Sequence, residues 1–169
     1  MKSLIAPLLN AEQCAACKFC CTFAAFEAWE TPLFSADEVN RISRKYGPFS
    51  VKQTEDGAFT LDLSSYWKIN GEKAYAPCPF LDSAKGCVLS DSDKPFDCKI
   101  WPLRIMKKDE NLVIALTPTC REINKLPVET VKQFVLNGAG ECIYNTAEQF
   151  PAIIKPYKKD FPILMEKRI

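Results

Sequence analysis

The chain has 169 residues, 47% of them hydrophobic, with 22 lysines and arginines against 21 acidic residues and no histidine. A net charge of +1 supplies no global field for nucleic acid or an anionic membrane, and the length suits one domain of roughly 100–200 residues. The missing histidine excludes mixed cysteine–histidine zinc fingers, histidine-ligated haem and any mechanism needing a histidine base.

Taken in order, Met1–Leu9 is a short apolar run broken by Pro7, too short for a secretory signal and far from the ~20 apolar residues of a membrane span. This predicts a cytoplasmic, soluble protein with no membrane and no nucleic-acid partner. Asn10 followed by Gln13 reads as a helix start, and a helix is expected from Ala11 to about Trp29. A non-helical knuckle across the first cysteines is the alternative. Ser35-Ala36-Asp37-Glu38 is a capping box; Val39, Ile42 and Tyr46 then recur at helical spacing, and Gly47-Pro48 ends the helix.

From Phe49 the texture changes. Phe59–Leu63 alternates at period two, and Asn70-Gly71, between Trp67–Ile69 and Lys73–Tyr75, predicts a hairpin with a type I′ turn. Pro77 to Pro102 is rich in loops, which a compact domain tolerates only when something pins them. Leu103–Met106 and Leu112–Leu116 form a second hairpin around Asp109-Glu110-Asn111. Pro127 opens a helix that stops at Gly138, another spans Glu141 to Phe150, and the tail from Pro151 has no clear period. The fold class is α+β: a small single domain, 1–169, with a cysteine-cluster core over 14–120 and a helical extension over 121–169.

Nine cysteines need a cause. An odd count cannot pair fully in a monomer, and dense cysteine in a reducing compartment favours metal binding or redox chemistry over structural disulfides. The run Cys14-x2-Cys17-x2-Cys20-Cys21 takes the C-x2-C step twice, and that step brings two sulfurs close enough to share an ion. Adjacent side chains point apart in helix and strand, so Cys20 and Cys21 are not expected to hold the same ion. Cys78, Cys87, Cys98 and Cys120 lie in or just after Pro- and Gly-rich loops. The candidate metal ligands are therefore Cys14, Cys17, Cys20, Cys21, Cys78, Cys87, Cys98 and Cys120. They make two sets of four or one polynuclear centre, and the sets are open. Cys142, on a helix, reads as core.

Asp82, Asp91, Asp93 and Asp97 crowd the same loops and read mainly as loop solvation. Lys18, Lys85 and Lys99 adjoin cysteines and are placed to offset thiolate charge. Phe80 and Trp101 would shield a cluster from water. The radical-SAM spacing is missed by one residue, and neither a P-loop nor a G-x-G-x-x-G is present.

The cysteine block, Pro77-Cys78-Pro79-Phe80-Leu81, Gly86-Cys87-Val88-Leu89 and Lys94-Pro95-Phe96-Asp97-Cys98-Lys99-Ile100-Trp101-Pro102 together resemble the YkgJ-type cysteine-cluster family, a zinc- or iron-chelating CxxCxxCC domain. The likeness runs over residues 14 to 120. It departs at Lys94 and Lys99, where arginines are usual, and at Leu89, where tyrosine is common. The resemblance implies metal chelation. Soft thiolates suit an iron–sulfur cluster or zinc, which leaves three functional classes: a 4Fe-4S protein for electron transfer or redox support of a protein partner, a zinc-stapled binding module, and an enzyme like the flagellin lysine methylases.

Overall fold

The computed structural model describes residues 4–169, except for the side chain of Ala11. It is an α+β fold with small, mostly antiparallel sheets. The chain divides into two compact units, one formed by residues 11–98 and the other by 99–169 together with 4–10. The sequence expects one domain with a cysteine-cluster core over 14–120 and an extension over 121–169; the two compact units join between 98 and 99.

The first unit contains α1 (Ala11–Cys17), β1 (Thr22–Phe23), β2 (Leu33–Phe34), α2 (Ala36–Tyr46), β3 (Val51–Gln53) and β4 (Phe59–Leu61). These are followed by α3 (Ser64–Asn70), β5 (Ala76–Pro77), β6 (Leu81–Asp82), β7 (Gly86–Cys87) and the start of α4 (Phe96–Ile100). The long helix expected over 11–29 is not formed. It is split into α1, a 3-10 turn over Phe19–Cys21, β1 and a second 3-10 stretch over Ala25–Glu30. The break comes at Lys18, whose backbone is left-handed with φ 54°.

The Ser35 capping box forms as expected. Ser35 Oγ accepts the Glu38 N–H at 3.2 Å, and Glu38 Oε2 accepts the Ser35 N–H at 2.8 Å. The hairpin expected around Asn70-Gly71 is instead α3. Gly71, at φ 90°, caps that helix by donating its N–H to the Trp67 carbonyl at 2.8 Å, so the glycine's freedom is used at a helix end.

The core of this unit is Phe23, Phe34, Ile42, Leu61, Phe80 and Leu89, with Val39, Tyr46, Phe49, Phe59, Leu63, Trp67 and Cys78 packed against it. It draws on β1, β2, β4 and α2, so the three-stranded sheet β2-β4-β3 and the amphipathic helix bury their apolar faces together. The Trp67 indole N–H reaches the Phe23 carbonyl at 3.0 Å, giving the ring's polar atom a partner while its body packs.

In the second unit α4 ends, and β8 (Leu103–Lys108), β9 (Asn111–Leu116), α5 (Val128–Phe134), α6 (Gly140–Gln149), β10 (Lys155–Pro156) and β11 (Ile163–Arg168) follow. The β8–β9 hairpin forms in the expected place, with Lys108 opposite Asn111. The tail, in which no period was found, supplies both edges of the sheet, ordered β10-β8-β9-β11. The region after 120 is thus more than a helical extension. Between α5 and α6 a widened turn over Val135–Ala139 holds Gly138 at φ 113°, close to the expected helix stop. Residues 4–9 form a turn in which the Leu8 and Leu9 N–H groups both reach the Ile5 carbonyl; the expectation for 1–3 lies outside the described residues. Among the described residues no helix is long and apolar enough to cross a membrane.

Candidate metal centre

Three local arrangements in the first unit draw cysteines together. The left-handed Lys18 ends α1 and lets Phe19–Cys21 turn back over it; the Lys18 N–H still reaches the Cys14 carbonyl at 3.2 Å. The β1–β5 ladder sets Thr22 opposite Pro77, and just beyond it the Cys78 N–H reaches the Cys21 carbonyl at 2.7 Å. The β6–β7 ladder sets Cys87 opposite Leu81. Gly86 beside it is packed so tightly under α1 that a Cβ there would lie 2.9 Å from the Ala15 Cβ. That contact brings Cys14 over β7.

The result is one connected set of thiols. Cys20 lies within hydrogen-bonding reach of both Cys14 and Cys21. Cys21 lies near enough to act electrostatically on Cys14, Cys78, Cys87 and Cys98, and Cys87 does the same with Cys14. Cys20 and Cys21 therefore meet, against the expectation that neighbours diverge. Cys17 is half-exposed at the end of α1. Cys120 is buried in the second unit, its carbonyl accepting from Asn124. All nine cysteines are free thiols, so no disulfide competes for the sulfurs.

The electrostatics divide the set. Hydrogen bonding from Cys20 brings Cys14 down to about 6, against the opposing effect of burial, and it lowers Cys21 as well. Cys20, whose single S–H is within reach of both, has its own pKa raised. Burial pushes Cys78 up to about 12 and also raises Cys87. Cys98 has accessible surface, yet enough protein surrounds it that desolvation, reinforced by Cys78, Cys21, Asp97 and Cys87, holds it well above the usual thiol value. Two acidified thiols beside several proton-retaining ones is the pattern of sulfurs sharing too few protons and too little positive charge. A soft cation binding here would relieve it by displacing protons. Among the described residues no three Cys, Asp or Glu side chains stand ready as a metal-coordinating group; Cys20 is within hydrogen-bonding reach of Cys14 and Cys21. The donor set itself, sulfur only and without imidazole, fits zinc or an iron–sulfur cluster.

The four aspartates have structural work. Asp82 Oδ1 accepts the Ala84 and Lys85 N–H groups at 2.7 and 2.8 Å and forms the β6–β7 turn. Asp97, buried, accepts the Leu33 N–H at 3.0 Å. Asp93 is 4% exposed and takes Arg41 and Lys45 at 2.5 Å, Ser90 at 2.6 Å and the Tyr46 hydroxyl at 2.7 Å. These bonds tie the loop after β7 to α2. Asp91 pairs with Lys94 at 2.9 Å.

Among the lysines beside cysteines, Lys18 donates to the Ser83 carbonyl. The cation that faces the thiols is Lys94, beside Cys14, Cys21 and Cys87. Sequence reading passed over it except as a departure from arginine; its place four residues before Cys98 was the available signal. Phe80 is buried next to Cys78 in the core. Trp101 belongs to the second unit, where the Arg104 guanidinium stacks on it at 4.2 Å.

Comparison with protein-family models, with curated proteins and with solved structures finds no match for this chain.

Proposed function

We propose that this protein chelates metal through cysteine thiolates in its first unit, as a 4Fe-4S-type iron–sulfur protein serving electron transfer or redox support of a protein partner. The observation that carries this reading is the position of Cys21, beside Cys20 and near enough to act electrostatically on Cys14, Cys78, Cys87 and Cys98. The sulfurs come from α1, the 3-10 turn, the segment after β5, β7 and α4. Structural zinc and a 4Fe-4S cluster each take four thiolates, and a cluster core spans sulfurs too far apart to share one ion. When bound, such a cluster supplies one-electron chemistry. The chain's own residues give thiolate ligands, the Phe80 packing that excludes water on the core side, and a cationic neighbour in Lys94. The resemblance to the YkgJ-type family points the same way. A zinc-stapled binding module is the second reading, favoured by the loops that such a staple would pin.

Anaerobic purification with metal analysis and a visible spectrum tests both. Brown protein with iron and acid-labile sulfide supports the cluster, and colourless protein with stoichiometric zinc supports the staple. Protein that takes up neither metal overturns the proposal. Saturable binding of S-adenosylmethionine would revive the methylase-like class.

A further inference from the structure

β11 leaves one side of its backbone open. It is an edge of the sheet ordered β10-β8-β9-β11, and Glu166, Lys167, Arg168 and Ile169 are exposed. The opposite edge, β10, is blunt: it pairs only Lys155 and Pro156 with β8, and proline has no N–H to offer. The ladder to β9 decides which groups of β11 are spare. Ile169 donates its N–H to the Glu110 carbonyl at 3.0 Å, next to the Arg168–Asn111 pair. Backbone groups alternate sides along a strand, and the register runs without a shift from Met165 to Arg168. The N–H and C=O groups of Glu166 and Arg168 therefore point away from β9, and among the described residues no strand pairs with that side.

The side chains are sorted by face. Lys167 lies on the α6 side, 3.2 Å from Glu148 and 5.5 Å from the centre of the Tyr144 ring. Glu166 and Arg168 share the other face. Glu166 Oε1 accepts from the Asn111 amide at 2.6 Å. Arg168 stands 3.6 Å from Glu110, with both side chains 83% exposed, and an ion pair that exposed contributes little.

We propose that β11 is a dimerisation edge, pairing antiparallel with β11 of a second copy about a two-fold axis and setting Glu166 opposite Arg168 of the partner subunit. In this register the facing residues exchange both backbone bonds, so every outward N–H of Glu166 and Arg168 finds a carbonyl. Each carboxylate also lies across from a guanidinium. The neighbouring two-fold registers set Glu166 against Glu166 or Arg168 against Arg168, and like charges directly opposite are destabilising. Lys167 meets its own symmetry mate, but on the α6 face, where Glu148 offsets its charge. Charged residues on an edge commonly block strand addition; here an acid followed two residues later by a base is self-complementary. The assembly closes at two copies, because the blunt β10 ends the sheet on each far side.

The experiment follows sedimentation of the full-length protein over a concentration series, with a thiol reductant present so that exposed cysteines form no intermolecular disulfide. Wild type should pass from monomer to dimer as its concentration rises. Glu166→Arg and Arg168→Glu, each alone, put like charges across the axis and should raise the dimer dissociation constant by about tenfold or more. An equimolar mixture of the two variants should dimerise again, as should the chain carrying both substitutions, because opposite charges then face each other in the same register. Wild type that stays monomeric throughout overturns the proposal, and so do single variants that dimerise as wild type does. Single variants that fail to dimerise and are rescued neither by mixing nor by the double substitution overturn it too, since a merely damaged edge would behave that way. None of these readouts depends on metal bound in the first unit.

Discussion

The α-carbon of Ala15 lies 3.0 Å from where a Cβ on Gly86 would stand. Gly86 also has φ 80°, a left-handed conformation that costs an L-residue roughly 1–2 kcal/mol. Gly86→Ala therefore meets two penalties at once, and the contact it breaks is the one that brings Cys14 over Cys87. The variant should melt several degrees lower and lose metal, as judged by thermal unfolding and metal content. Unchanged values in both would show that α1 does not depend on this contact.

Cys21 and Cys17 should part company. Alanine at Cys21 removes a thiol that acts electrostatically on Cys14, Cys78, Cys87 and Cys98, and alanine at Cys17 removes a half-exposed one at the end of α1. Metal content should fall sharply for Cys21→Ala and Cys98→Ala but stay close to wild type for Cys17→Ala and Cys142→Ala. Equal retention in Cys21→Ala and Cys17→Ala would refute the ligand set drawn from the geometry.

Asp93 gives the protein an acid-sensitive clamp. Its hydrogen bonds from Lys45, Ser90 and Tyr46 hold the carboxyl below the ordinary value of 3.8. A carboxyl whose folded pKa lies below its unfolded one stabilises the fold fully above the unfolded value. That contribution is lost as the pH falls from there toward the folded value. Asp93→Asn should therefore lower the melting temperature at neutral pH and flatten its fall below about pH 4. Melting curves at stepped pH read the difference; parallel wild-type and variant profiles would contradict the clamp.

In the second unit, a Cβ on Gly140 would collide with the Met165 sulfur and stand 3.0 Å from the Val135 carbonyl oxygen. Gly140→Ala should destabilise by about 1–3 kcal/mol, as overpacking typically does. Denaturant unfolding measures it. Because the flexible end of Met165 is one of the obstacles, the double variant Gly140→Ala with Met165→Ala should regain part of the loss.

Where the deciding signal was local, the sequence could be read. Ser35 and Glu38 stand three residues apart and cap α2 through their own side chains, and the turn at Asp109-Glu110 lies between two apolar runs that pair with each other. Asn70-Gly71 misled because a glycine able to take φ 90° serves a helix end as well as a hairpin turn. What decided between them was Trp67, whose packing and bond to Phe23 depend on residues more than forty positions away. β11 escaped for the same reason. Its Glu166, Lys167 and Arg168 are exposed, and its partner β9 lies some fifty residues earlier. For the site, residue types and loop contexts brought the sulfurs into one list. That Cys20 comes within reach of both Cys14 and Cys21 follows from one left-handed backbone at Lys18, which no spacing rule encodes.

The thiols also differ in how they meet their surroundings: Cys14, Cys87 and Cys98 are exposed, while Cys20, Cys21 and Cys78 are partly covered. Damage by air should accordingly work inward from an outer rim. Sulfenic and higher acids would accumulate first on Cys14, which is both exposed and acidified, and peptide mapping of an aged sample would read the protein's history of oxygen exposure from the outside in.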